Sequence, residues 1–315
     1  MSFASLLGND RLKKNLAESL AKGHVSHFYL ISGPAGSGKH TLARLLAAAI
    51  LCGDSRPPCL TCGPCRKVME GNHPDFITVE DPEHKNVAVK IVRSIREDVF
   101  IRPNESEYKI YLFPQELGLE GQNALLKILE EPPNHGVFLL LTDNPDKLLP
   151  TVRSRCTELK LQALDPELLG RSLRRDFPQA EQEDLEAAIA RSGGFLGQAR
   201  ELLKSGDQLP PQTEGFVKAF AARDPLLLVQ TLAPMEKWKR DALLEILLSW
   251  MEILEQALAG RSGIRAVSAQ TRQLSQLRTA AELHRGVRIL KQAVEYTQSN
   301  VSPAAICGWL TWALR

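Results

Sequence analysis

A glycine-rich loop and a four-cysteine cluster stand one helix apart in this chain, and that pairing narrows its possible folds more than any other feature. The run His27-Phe28-Tyr29-Leu30-Ile31-Ser32 is short, apolar and aromatic, which predicts a buried strand. Gly-Pro-Ala-Gly-Ser-Gly-Lys-His follows over Gly33 to His40. A helical stretch then runs from Thr41 to Leu51, with apolar residues at Leu42, Leu45, Leu46, Ala49 and Ile50. Strand, glycine loop and helix is the context of a P-loop, in which backbone N–H groups and the helix N-terminus surround phosphate oxygens. The candidate nucleotide contacts are Gly33, Pro34, Gly36, Ser37, Gly38, Lys39, His40 and Thr41, with Lys39 set against the β- and γ-phosphates. A glycine-rich turn with a stray lysine is the bland alternative, and the flanking pattern argues against it.

The loop is degenerate in two places. His40 stands where a Ser or Thr hydroxyl ligates magnesium. Thr41 is one helical step further on, a rotation of about 100°, and is expected to point away from the metal. Phosphate-hydrolysing P-loop proteins also carry carboxylates at the end of a neighbouring strand. The candidate strand here, Tyr108-Lys109-Ile110-Tyr111-Leu112-Phe113, ends in Pro114-Gln115 and has no Asp or Glu. With two parts of the magnesium site missing, the loop predicts a pocket that does not hydrolyse ATP. Lys39 and the loop amides leave weak nucleotide binding open.

The cysteines are Cys52, Cys59, Cys62 and Cys65, interleaved with Gly53, Pro57, Pro58, Gly63 and Pro64. Four thiolates with no open position favour a closed structural zinc site over a catalytic one. Disulfides and an iron–sulfur cluster are the alternatives. Cys156 and Cys307 are isolated in sequence and give no ligand pattern.

Longer stretches extend the picture. Asn123-Ala124-Leu125-Leu126-Lys127-Ile128-Leu129-Glu130-Glu131-Pro132-Pro133 resembles the NALLKxLEEPP signature of clamp-loader ATPase domains. Leu148-Leu149-Pro150-Thr151-Val152-Arg153-Ser154-Arg155-Cys156 resembles their LLPTxxSRC segment, and His73-Pro74-Asp75 resembles the HPD that follows the cysteine knuckle of bacterial members. The chain is thus similar to the AAA+ clamp-loader family of bacterial DNA polymerase III, and to its delta-prime subunits in particular.

The resemblance implies an AAA+ domain, a helical lid and an oligomerising collar. It implies assembly with motor (gamma/tau) and delta subunits, and, through the complex, with the sliding clamp and primed DNA. It also implies that Arg155 serves as an arginine finger in trans; Arg153 is the nearby competitor. Motor subunits end the P-loop in Lys-Thr, carry Asp-Glu after the strand and place a sensor arginine in the lid. The corresponding positions here read Lys39-His40, Leu112-Phe113 and Gly197 or Gln198. The implied protein is a non-hydrolysing stator. An active P-loop ATPase, either a divergent motor or a related DNA-processing enzyme, is the competing reading.

Strand candidates at Phe28 to Ser32, Phe76 to Glu80, Lys109 to Phe113 and Val137 to Thr142 alternate with helices, which predicts a parallel sheet covered on both faces. Leu164-Asp165-Pro166 opens a helical unit, with Asp165 as N-cap. Gly206-Asp207-Gln208-Leu209-Pro210-Pro211 breaks it and predicts a linker. The expected divisions are 1–161 (α/β, P-loop), 162–208 (helical lid) and 209–315 (all-helical collar).

Thirty-nine Lys and Arg face thirty-seven Asp and Glu. So even a balance argues against a dedicated nucleic-acid-binding domain, which is expected to be strongly basic. No apolar stretch of about 18 residues occurs and the N-terminus is mixed in charge, so no membrane span or signal peptide is expected and a cytoplasmic location is. Arg171, Arg174 and Arg175 read as a solvated helix face, and Trp250, Trp309 and Trp312 as helix-packing residues. No Ser-His-Asp or Cys-His arrangement suggests nucleophilic catalysis.

Overall fold

Five strands rich in aliphatic and aromatic residues pair in parallel: β1 (Phe28–Ser32), β2 (Phe76–Thr78), β3 (Lys109–Phe113), β4 (Gly136–Thr142) and β5 (Thr157–Lys160). Their order across the sheet is β2-β3-β4-β1-β5. This is the parallel α/β sheet that the sequence leads one to expect. The computed structural model describes residues 3–84, 86–205, 210–261, 269–299 and 301–314.

Strands β1, β3 and β4 are buried along their whole length, which explains their unbroken apolar runs. Phe28 lies opposite Phe138, and Ile110 opposite Val137. The Phe28 and Phe138 rings stack at 4.4 Å, and Tyr111 continues the stack at 5.1 Å. Two strands differ from the sequence reading. The second is shorter, ending at Thr78. The fifth was not anticipated, because Thr157-Glu158-Leu159-Lys160 is an edge strand with Leu159 as its single buried residue.

The helices around the sheet are α1 (Asp10–Ala21), α2 (Lys39–Ile50), α3 (Gly63–Glu70), α4 (Val89–Asp98), α5 (Leu119–Glu130) and the short α6 (Pro150–Arg153). Helix α2 buries Leu42, Leu45, Leu46 and four alanines against β1 and β4. Next comes α7 (Pro166–Asp176), where the Asp165 side chain accepts from the Glu167 amide and Pro166 starts the helix. Helices α8 (Gln182–Arg191) and α9 (Leu196–Ser205) follow.

The chain forms two compact units. One comprises residues 1–179 and 192–200, the other 180–191 and 201–315. The helical segment 162–208 is therefore shared between them, and residues 206–209 of the expected linker lie outside the described residues.

The second unit is helical: α10 (Pro211–Ala222), α11 (Pro225–Leu232), α12 (Arg240–Arg261), α13 (Ala269–Leu277), α14 (Ala280–Gln298) and α15 (Pro303–Ala313). Trp250 is fully buried at its centre, stacked 4.2 Å from Phe216, and its indole N–H donates to Thr213 Oγ1 at 3.1 Å. Trp250 is thus a packing residue, whereas Trp312 is 72% exposed. Helix α14 opens with a reciprocal cap between Thr279 and Glu282. No described helix is long and apolar enough to cross a membrane.

Candidate functional site

Because β1 lies directly beside β4, the loops leaving their C-terminal ends meet. Ligands of open parallel sheets bind in such a crevice. Here it is a cleft of about 760 Å³ lined by Ala35 to Thr41, by Asp143 after β4, and by Arg175, Phe195, Gly197 and Arg200. The backbone has the P-loop form. Gly36 and Gly38 take φ of +72° and +97°, a region that glycine alone enters cheaply, and α2 starts at Lys39.

Lys39 is 8% exposed. Its Nζ donates to the Gly33 carbonyl at 2.6 Å, to the Pro34 carbonyl at 2.9 Å and to Asp143 Oδ1 at 2.5 Å. An ammonium has three N–H donors, and this one uses all three. The Ser37 hydroxyl is buried without a partner among the described residues. Its neighbour Gly36 accepts from the Gly197 amide at 2.9 Å, so the first turn of α9 rests on the loop apex. His40 and Thr41 both line the cleft. Burial, followed by the charges of Lys39 and Arg44, lowers the His40 pKa.

At the tip of β3 the chain reads Leu112-Phe113-Pro114-Gln115. Gln115 turns aside: its Nε2 donates to the Asp81 and His84 carbonyls and its Oε1 accepts from the Asp81 amide. Glu116 pairs with Lys147 at 2.9 Å. Among the described residues lining the cleft, Asp143 is the one carboxylate.

Arg200 and Asp143 escaped the sequence reading. Arg200, on α9, makes a forked contact to Asp176 Oδ2 at 2.9 and 2.5 Å. Arg175 donates to the other oxygen of Asp176 at 3.1 Å, so it belongs to the cleft wall as well as to an exposed helix face. Asp143 was invisible because it gains meaning only when β4 is placed beside β1.

The four cysteines converge. The Sγ atoms of Cys52, Cys59, Cys62 and Cys65 all lie within 4.8 Å of one another. Cys52 and Cys62 are 3.9 Å apart, and Cys59 and Cys65 4.0 Å. Four sulfurs at the usual Zn–S distance in a tetrahedron are separated by about 3.8 Å. A disulfide needs about 2.05 Å, and all four are free thiols. The donor set therefore fits a metal ion such as zinc.

Cys62 and Cys65 are held by the N-cap and first turn of α3, not by a loop throughout, and Cys65 packs against α2. The Thr61 hydroxyl and amide, together with the Cys62 amide, lower the Cys59 pKa to about 6, which favours the thiolate a metal requires. Burial pushes Cys65 and Cys52 the other way.

Arg155 leaves the turn between α6 and β5. One guanidinium nitrogen donates to the Thr151 carbonyl at 2.9 Å, and the other lies 3.6 Å from Glu130 Oε1, beyond hydrogen-bond length. Arg153 is bound more firmly, to Asp146 at 2.9 Å and Glu158 at 3.3 Å. Cys156 anchors the segment from below by donating to the Val152 carbonyl; burial, then the charge of Glu158, raises its pKa to about 11.

His73-Pro74-Asp75 has an architectural place. Asp75 is fully buried and accepts from the Asn104 amide (2.6 Å) and side chain (3.1 Å), the Glu105 amide (2.8 Å) and the Ser106 amide (3.0 Å). It thereby fixes the turn that leads into β3.

The chain is similar to the DNA polymerase III subunit tau of Escherichia coli, 34% identical over 227 residues, covering 70% of this chain and 35% of that protein. The tau subunit of Salmonella typhimurium is 38% identical over 225 residues, again covering 70% and 35%. The chain thus spans about a third of the length of these relatives. Among solved structures, a DNA polymerase III gamma subunit-related protein of Thermotoga maritima matches with a TM-score of 0.44 and 18% identity, covering 95% of this chain and 100% of that one. The model of the family described as "DNA polymerase III, delta subunit" matches residues 8–165, half of the 315-residue chain. The chain belongs to the DNA polymerase III delta-subunit family.

Proposed function

We propose that this protein is a subunit of the DNA polymerase III clamp loader that does not hydrolyse ATP and acts as a stator of the delta-prime type. Its partners are then the gamma/tau motor subunits and the delta subunit, and the assembly acts on a sliding clamp and primed DNA. Arg155 is its contribution to chemistry, facing the nucleotide of a neighbouring subunit. Residues 1–161, 162–208 and 209–315 serve as nucleotide-binding-like, lid and collar parts, and the four cysteines hold a structural zinc ion.

The observation that carries this reading is the tip of β3. A metal-assisted phosphoryl transfer needs a carboxylate there to hold the ion and polarise water, and Leu112 and Phe113 occupy the place while Gln115 and Glu116 are engaged elsewhere. The exposure of Arg155 and its loose tether to Glu130 suit a group that reaches a partner's phosphate. The competing reading, an active ATPase, draws on the preserved loop conformation at Gly36 and Gly38 and on the tau names of the relatives.

ATP turnover by the full chain alone, with magnesium and primed DNA, separates the two. No turnover above background is expected; a rate on the order of 1 per second, typical of enzymatic chemistry, contradicts the proposal.

A further inference from the structure

We propose that Asp143 is an internal counter-anion that closes the P-loop to nucleotide, by supplying Lys39 with the negative charge a phosphate would otherwise bring. The inference rests on the non-hydrolysing reading above and names the residue that sets nucleotide affinity at that same cleft.

The position of Asp143 is fixed by the fold. It follows Thr142, the last residue of β4, whose partner in β1 is Ser32. The Thr142 hydroxyl donates to the Asn144 carbonyl at 2.9 Å and accepts from the Asn144 amide at 3.1 Å, which pins the chain on the far side of Asp143. The carboxylate therefore arrives at Lys39 on a constrained backbone.

The stoichiometry of donors does the rest. Two of the Lys39 protons go to the Gly33 and Pro34 carbonyls and the third to Asp143. A phosphate can approach this ammonium only by displacing one of them. The carbonyls belong to the loop itself, so Asp143 is the one removable competitor, and it is anionic. Its side chain is 60% exposed against 9% for Lys39, so its removal leaves the core intact while uncovering a buried cation. The same device recurs on the lid side, where Asp176 holds Arg200 and Arg175. Lys39, Arg175 and Arg200, which line the cleft, thus each meet a carboxylate of their own chain.

Binding of a fluorescent ATP analogue to the full-length chain, followed by polarisation, tests the proposal. Asp143→Ala is expected to bind at least about tenfold more tightly than the wild type, about 1.4 kcal/mol. The gain should vanish in the Lys39→Ala, Asp143→Ala double variant. Asp143→Asn, which keeps the shape and loses the charge, provides a second route if the alanine variant melts early. A gain of less than tenfold in the folded variants, or a gain that survives loss of Lys39, overturns the proposal. Turnover is a separate readout: ATP hydrolysis by the wild-type chain would sink the stator reading, whereas unchanged affinity in Asp143→Ala sinks only the role of Asp143.

Discussion

The backbone amide of Gly197 donates to the carbonyl of Gly36 at 2.9 Å, and neither residue has room for a side chain. A Cβ on Gly36 would lie 2.4 Å from the Gln198 nitrogen, and one on Gly197 would lie 2.5 Å from the Gly36 Cα. Two glycines are what allow the first turn of α9 to sit on the loop apex.

That contact fixes the sign of a substitution. Gly197 lies in the first turn of α9, and Gly→Ala in a helix ordinarily stabilises by up to about 1 kcal/mol. Here the added methyl meets backbone, for which overpacking costs about 1–3 kcal/mol. Gly197→Ala is expected to destabilise the chain in urea titrations. A stabilised variant would show that α9 does not rest on the loop.

The cysteine cluster predicts one zinc ion per chain in protein purified without chelator or oxidation. Sulfur separations of 3.9 and 4.0 Å match tetrahedral coordination. Cys59→Ser or Cys62→Ser should release the metal and loosen residues 52–65, read by elemental analysis and by limited proteolysis. Less than about half an equivalent of metal in the wild type would count against the site.

Asp75 predicts a specific acid sensitivity. Burial alone raises its pKa, but the donors of Asn104, Glu105 and Ser106 outweigh it and the net direction is downward. A carboxyl held below its unfolded value, about 4, contributes stability that is fully present above that value. The contribution is lost as pH falls through the depressed folded pKa. Asp75→Asn removes the charge and sets an amide against amide donors, so it should cost about 1–3 kcal/mol at neutral pH and flatten the acid limb of the stability curve. An unchanged acid limb would mean that other carboxylates govern it.

Much of the sheet was legible because parallel strands buried on both faces leave long apolar runs, and β1 and β3 fall on their expected bounds. Strand β5 was not, since an edge strand with one buried residue has no such signature. The convergence of the four cysteines was readable from their spacing, although the helical turn carrying Cys65 was not. The Lys39–Asp143 pair and the Gly36–Gly197 clasp join parts of the chain more than a hundred residues apart, and the Arg200–Asp176 pair joins two separate helices. Only the strand order and the placement of α9 bring them together. The HPD segment was visible as a motif, and its work at Asn104 to Ser106 appears only in three dimensions.

The central claim is that this subunit completes a neighbour's active site with Arg155 while running no ATPase of its own. It is tested most directly by ATP hydrolysis in a reconstituted clamp-loader complex carrying Arg155→Ala. Arg155 is 40% exposed and held by one carbonyl bond and a long contact to Glu130, so folding, metal content and assembly should be unaffected. An arginine finger in trans can contribute roughly 10³ to 10⁵ in rate, and hydrolysis by the adjacent motor subunit should fall accordingly. A variant complex that assembles and hydrolyses ATP at the wild-type rate would contradict the account.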